Sequence, residues 1–401
     1  ASLAPSEMCI RDSAHTHTYA YSRPISPSTC LSPHSSFRAI RPSPLMPGLP
    51  PPPYGAVFKG ATLQLLEQAK ELAGLSYRPS VFNPATLIKK GPVRVARSRV
   101  PPARPGEEPG FDMFFEMHGT GARRIALIMG LANSCFSWLD QVEEFGSDPS
   151  CSVLVLDNRG YGNTSSPAQR YTTCEMAKDV LEVLDHIGWT EDKSVHLVGV
   201  SMGGMISLEI ARQNPQRLAS LLLLSTTSGD GSPLPPAMGL VALTKSIFAS
   251  MSGRTRNEAR VNRMANVLFP LPWQEEKHES DPQGRKNGEV MRDILLWRSQ
   301  FVLPPSAMGP LYQMSACLTH HVPPKELMKI NNNIPKVGIV TGDWDQLVSP
   351  RHSRFMHKKM PDAEYHVWPG AGHAIHIQFP TAFNKFLRNW VGAPARDSAP
   401  S

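Results

Sequence analysis

Between residues 125 and 224 the chain repeats one pattern: a short apolar run, a segment with apolar residues at helical spacing, then another apolar run. The runs Ile125–Met129, Val153–Leu156, Val195–Val200 and Leu218–Leu224 are short and rich in Val, Ile and Leu, as strands covered on both faces are. Ser137–Phe145, Thr173–Ile187 and Met202–Asn214 carry the helical period instead. This alternation constrains the architecture severely. Successive strands must run parallel, with the helices returning across the sheet. The expected class is α/β, a mostly parallel central sheet with helices on both faces. Two strands, Val93–Val100 and Phe111–Met117, are expected ahead of it around a Pro-rich hairpin. After Asn331 the pattern resumes with a strand to Thr341, a strand Tyr365–Val367 and a closing helix Ala382–Val391.

Open parallel sheets gather function at the C-terminal ends of their strands. At one such end stands Gly199-Val200-Ser201-Met202-Gly203, a G-x-S-x-G sequence between an apolar run and a helical pattern. Strand, sharp turn and helix is the setting in which this motif is a nucleophile elbow. Glycines Gly199 and Gly203 give the backbone room for the turn. The following helix aims its free N–H groups at whatever Ser201 attacks. A plainer alternative is a turn whose serine merely caps that helix.

A serine hydroxyl needs a base, and the base is usually a histidine oriented by a buried carboxylate. On this kind of scaffold the chain order is Ser, acid, His. Downstream, Pro335–Val348 is an apolar strand running into Gly342-Asp343-Trp344-Asp345. Both aspartates are candidates. Asp345 is favoured, because Asp343 sits in the turn, where Asp commonly bonds its own backbone. Further on, Tyr365–Ala374 is a short strand ending in a Pro/Gly loop that presents His373. His376 competes, but it reads as part of the following segment. An oxyanion hole needs two backbone N–H groups. Met202, after the nucleophile, is one expected donor. Leu131, in the turn after Ile125–Met129-Gly130, is the other, unless Gly130 is an ordinary strand-ending glycine.

With these residues placed, the chain resembles the α/β-hydrolase superfamily in its esterase, lactonase and epoxide-hydrolase-like branch. The matching stretches are Met129-Gly130-Leu131, Asp157-Asn158-Arg159-Gly160-Tyr161-Gly162-Asn163, Gly199–Gly204, Gly342–Asp345 and Gly370–His373. The resemblance implies a Ser201–His373–Asp345 triad, the donors Leu131 and Met202, and a small-molecule acyl substrate. It implies no metal and no organic cofactor. The expected reaction is hydrolysis of a carboxylic ester, lactone or similar compound through an acyl-enzyme. Other triad chemistry, such as carbon–carbon bond hydrolysis or cofactor-free haloperoxidase-like activity, and a ligand-binding sensor with little turnover are alternatives. One position departs from the family: Met129 stands where His-Gly is usual. A serine at the elbow argues against epoxide hydrolases and haloalkane dehalogenases, whose relatives carry Asp there. The Asp157–Gly160 turn reads as structural.

From 228 to 333 the alternation stops, where the family inserts a helical cap. An apolar stripe of Met238, Leu240, Val241, Leu243, Ile247, Phe248 and Met251 and an exposed loop at Gln274–Asn287 are expected within it. The scaffold is expected as 91–227 and 334–392, with a helical extension at 56–90 and a tail at 393–401. Residues 1–55, rich in Pro and Ser, read as a disordered or non-native tail. Glu7–Ser13 resembles peptide read through from sequencing adapters, and Met46 is the expected true start. The acid-free stretch from Ser13 to Leu66 has a transit-peptide composition, but its prolines spoil an amphipathic helix.

A formal charge of +7 raises the question of a polyanionic partner. Lys and Arg are scattered, however. The densest group, Arg254, Arg256, Arg260 and Arg263, reads as a solvated helix face, so no nucleic-acid partner is expected. No run approaches the roughly 18 apolar residues of a membrane span. The six cysteines, Cys9, Cys30, Cys135, Cys151, Cys174 and Cys317, form no CxxC pair. They fit a reducing, cytoplasmic setting, with mitochondrial targeting as the weaker alternative. Cys135 reads as a small buried hydrophobe. His320-His321 lacks a third ligand at a metal-binding spacing. Oligomeric state is not readable from these features.

Overall fold

The computed structural model describes residues 80–230, 236, 239, 241, 257–299, 301–303, 306 and 308–394. The expected tail at 1–55, the helical segment 61–73, Arg254, Arg256, the end of the chain from 395 and all of the 238–251 stripe but Val241 lie outside the described residues.

Eight strands form one sheet: β1 (Leu87–Val95), β2 (Phe111–His118), β3 (Arg123–Ile128), β4 (Cys151–Leu156), β5 (Val195–Val200), β6 (Leu218–Leu224), β7 (Val337–Gly342) and β8 (Glu364–Trp368). Their order is β1-β2-β4-β3-β5-β6-β7-β8. β1 with β2 and β2 with β4 are antiparallel; every later pair is parallel. The apolar runs are continuous because alternate side chains feed two different cores. Ala126, Ile128, Leu154, Leu156, Leu221 and Leu223 point into one. Ile125, Leu127, Val153, Val155, Leu222 and Leu224 point into the other. Helices α1 (Leu139–Gly146) and α11 (Pro380–Trp390) cover the second face. Helices α2 (Thr173–His186) and α3 (Met202–Gln213) cover the first. The start of α2 is set by Thr172, whose hydroxyl accepts the Glu175 N–H at 3.1 Å, an N-cap that removes one orphan donor.

β1 differs from expectation. It spans Leu87–Val95, through Lys89-Lys90-Gly91-Pro92, and Ala96 turns out of it at a φ of 60°. Its polar residues and its proline are tolerated because it is the edge strand. The expected strand to Val100 and the expected extension through residue 90 both give way to it.

Between β6 and β7 lie α4 (Asn257–Leu268), α5 (Leu271–Glu275), α6 (Asn287–Ser299), α7 (Gly309–Leu318) and α8 (Pro324–Asn333). They do not form one body. Ala265, Phe269, Val290, Met291 and Ile294 of the earlier part share a small cluster with Ala374 and Ile377. Ala316 of α7 and Leu327 and Ile330 of α8 instead join the sheet's own core. The loop expected to be exposed at Gln274–Asn287 is anchored at both ends. Gln274 is buried, donating to Phe269 O at 2.9 Å, and Asn287 donates to Trp273 O at 3.0 Å. Arg263 departs from a solvated face: its Nε and Nη2 are shut from solvent. No described helix is long and apolar enough to cross a membrane. Helix α9 (Pro350–Lys359) separates β7 from β8, and the short α10 (Ile375–Gln378) precedes α11.

Candidate active site

Strand order decides which loops meet. β3 and β5 are neighbours, with Ile128 opposite Gly199, so the turns after both strands abut. Ser201 lies at the first turn residue after β5, at φ 56° and ψ −122°, a conformation few L-residues adopt. It is held there from behind. Its N–H donates to Leu224 O at 2.9 Å, and the Thr226 hydroxyl donates to Ser201 O at 2.7 Å. The flanking glycines are obligatory for space. A Cβ on Gly203 would sit 2.1 Å from Ile128 O, and one on Gly199 2.4 Å from Gly203 O. A Cβ on Gly130 would lie 3.6 Å from Ser201 Oγ, so the β3 turn runs directly beside the hydroxyl. Met202 opens α3, where first-turn N–H groups have no intrahelical acceptor.

The acid and base candidates also sit at adjacent strand ends, since Gly342 of β7 pairs with Trp368 of β8. His373 Nδ1 lies 2.8 Å and 2.9 Å from the two carboxylate oxygens of Asp345. Both side chains are buried. Asp345 Oδ1 also accepts the N–H groups of Leu347 at 2.8 Å and Val348 at 2.9 Å, which fixes the carboxylate's direction. Asp343 faces the other way and accepts the Gly370 N–H at 2.9 Å. A further bond joins the two loops, Trp344 N–H donating to Ala371 O at 3.0 Å, and within the histidine loop Gln378 accepts the Gly372 N–H at 2.8 Å. No hydrogen bond joins Ser201 Oγ to His373 among the described residues. His376 is buried away from this contact, its ring 4.2 Å from that of Trp138. Burial, together with Arg298 and His373, holds its pKa down to about 3.

Asp157 accepts the Cys135 N–H at 2.7 Å, the Ser134 hydroxyl at 2.9 Å and the Asn163 N–H at 2.7 Å. Its complete burial raises its pKa. Cys135 is buried, and the same desolvation pushes its thiol pKa well up. Asn158 Nδ2 donates to Met129 O at 2.8 Å, tying the β3 turn to the β4 turn. Arg159 is fully buried and bidentate on Asp179, at 2.6 Å for both contacts. Among the described residues no three His, Cys, Asp or Glu side chains are grouped to hold a metal ion. His320 bonds Thr173 Oγ1 at 2.8 Å, and burial pulls its pKa down to about 3.

A model of the alpha/beta hydrolase fold family matches residues 124–380. The chain belongs to the α/β-hydrolase fold family. This α/β hydrolase is 28% identical over 281 residues to a protein of Stutzerimonas stutzeri whose name marks it provisionally as a carbamate hydrolase; the match covers 69% of this chain and 95% of the relative. It is 23% identical over 278 residues to a Bacillus subtilis protein named provisionally as a 2-succinyl-6-hydroxy-2,4-cyclohexadiene-1-carboxylate synthase, covering 67% and 89%. A thermophilic esterase from Thermogutta terrifontis shares the fold, with a TM-score of 0.55 and 22% identity, over 76% of this α/β hydrolase and 98% of the esterase.

Sequence reasoning missed two side chains beside the site. Asn158 lies inside the Asp157–Asn163 stretch, and only the strand order reveals that its amide reaches the β3 turn. Gln313 carried no signal. A lone glutamine in a helical pattern reads as surface, yet its Oε1 accepts the Ala132 N–H at 2.8 Å.

Proposed function

We propose that this α/β hydrolase is a serine hydrolase of carboxylic esters, lactones or related small acyl compounds. The observation that carries the reading is the buried Asp345–His373 contact at the same end of the sheet as the strained Ser201 turn. Asp345 holds the Nδ1–H tautomer, leaving Nε2 as base. His373 takes the Ser201 proton as Oγ attacks the substrate carbonyl, and the carbonyl π electrons move onto oxygen. The Leu131 and Met202 N–H groups receive that charge, the effect that usually contributes most to such reactions. His373 then protonates the leaving group, and the acyl-enzyme forms. Water, deprotonated by His373, repeats the sequence and frees Ser201. Helices α4 to α6, which share their own small cluster, act as a cap that excludes water and shapes the acyl pocket.

The relative named for carbamate hydrolysis supports a carbonyl substrate. The relative named as a synthase favours a second reading, in which the same groups carry out chemistry other than ester hydrolysis.

Labelling with a fluorophosphonate probe tests the proposal. Wild-type protein is expected to label at one site and to hydrolyse p-nitrophenyl acetate, and Ser201→Ala to do neither. A folded wild type that stays unlabelled, or equal labelling of Ser201→Ala, overturns it.

A further inference from the structure

Gln313 lies on α7 with no exposed surface, and both ends of its amide are used. Nε2 donates to Arg159 O at 2.8 Å, and Oε1 accepts the Ala132 N–H at 2.8 Å. One side chain from the inserted helices thus bridges the β4 turn and the β3 turn. Its reach is fixed by how α7 is seated. A Cβ on Gly309 would lie 2.0 Å from Gly160 O, so helix and turn meet backbone to backbone. One helical turn on, the Tyr312 ring packs 5.0 Å from that of Tyr171. Gly309, Tyr312 and Gln313 have the i, i+3, i+4 spacing of one helix face.

The β3 turn has left the sheet by Met129 and relies on side chains for its shape. Asn158 holds Met129 O at one end. Gln313 holds Ala132 N at the other, where the backbone takes a φ of 47°. Leu131 lies between these two anchors. We propose that Gln313 is a positioning residue for the oxyanion donor, and that it couples that donor to the seating of α7. The inference rests on the serine-hydrolase reading above. It also supplies a support for the turn at which Met129 departs from the family's histidine. Without Gln313, the Ala132 N–H and the buried Arg159 O lose the partner they share, and the turn moves to find others. The Leu131 N–H then misses an oxygen that becomes charged only as the tetrahedral intermediate forms.

Gln313→Met keeps the length of the side chain and removes both hydrogen bonds. Per site titrated with fluorophosphonate, kcat for p-nitrophenyl acetate is expected to fall about 10- to 100-fold, the scale of a weakened oxyanion donor, with KM within about twofold. Affinity for an aryl trifluoromethyl ketone, whose adduct carries the oxyanion, is expected to fall by the same factor as kcat/KM. Ala316→Gly, buried on the same helix but outside this bridge, is the control for helix loosening. Unchanged kcat in Gln313→Met, or an equal loss of kcat in Ala316→Gly, overturns the proposal. Should Gln313→Met not fold, the wild type carries the test. Its Ala132 amide is expected to exchange with solvent deuterium about a thousandfold slower than an unstructured amide, and exchange at the unstructured rate overturns the bridge. A wild type without turnover overturns both this role and the serine-hydrolase reading; a normally active Gln313→Met overturns this role alone.

Discussion

The Gly370 N–H donates to Asp343 Oδ1 at 2.9 Å, so this carboxylate braces the loop that leads to His373. Two residues further, Asp345 meets the His373 ring itself. Two aspartates in one turn therefore hold the backbone and the side chain of a single neighbouring loop.

This division sets the first expectation. Under the proposed mechanism, Asp345→Asn leaves the imidazole in the wrong tautomer and lowers kcat by about 10⁴-fold. Asp343→Asn retains an oxygen for the Gly370 N–H and costs less than about tenfold, since that bond acts only through the loop. Steady-state rates on p-nitrophenyl acetate decide between them. A larger loss in the Asp343 variant would reverse the assignment.

The elbow glycines are expected to be intolerant of even one methyl group. Gly203→Ala places a carbon 2.1 Å from the Ile128 carbonyl, and rigid backbone cannot yield cheaply. The expected cost is about 3 kcal/mol, at the upper end of overpacking effects. Gly188→Ala is the comparison: nothing lies within 4 Å, but φ is 80°, so a cost near 1 kcal/mol from backbone strain is expected. Urea unfolding midpoints of the two variants should differ accordingly.

Arg159 and Asp179 form a solvent-free pair, with Arg99 adding a second guanidinium at 2.8 Å from Asp179. Removing one partner strands a buried charge. Asp179→Leu alone is expected to destabilise by about 3–5 kcal/mol. Arg159→Met combined with Asp179→Leu should cost less than the sum of the single changes. A double-mutant cycle in urea measures the difference, and strict additivity would contradict the pairing.

His320 and His376 are both held down to about 3 by burial, first of all. In the unfolded chain each titrates near its ordinary value, about 6.5. Below that pH the unfolded state takes up protons that the folded state refuses. The stability these groups confer is complete above about pH 6.5 and is lost as pH falls toward 3, at about 1.4 kcal/mol per pH unit for each. Stability measured from pH 7 to 4.5 should decline in this window. His376→Phe, which keeps a ring against Trp138, should flatten the slope by one proton; an unchanged slope would count against the assignment.

The parallel core was legible because strands buried on both faces write unbroken apolar runs, and because their ends are marked by glycines that nothing larger can replace. β1 was harder to place. An edge strand need satisfy only one neighbour, so Lys89, Lys90 and Pro92 could occupy it without leaving a strand signature. Amide side chains were the least legible elements. Gln274, Gln313 and Asn158 are typical of surfaces by composition, and their burial depends on carbonyls and N–H groups contributed by distant segments. The Asp345–His373 meeting follows from β7 and β8 being neighbours, a matter of strand order that motif order alone does not specify.

The His373 N–H donates to Leu268 O at 3.0 Å, and a Cβ on Gly372 would lie 2.2 Å from that same carbonyl. The last residue of α4 is thereby part of the loop that presents the imidazole. For anyone exchanging substrate-shaping segments between proteins of this fold, the seam cannot be cut at the end of the inserted helices. A transplant that brings α4 must also bring a glycine-bearing loop matched to it, or the recipient's histidine will lose the carbonyl that sets its height above the sheet.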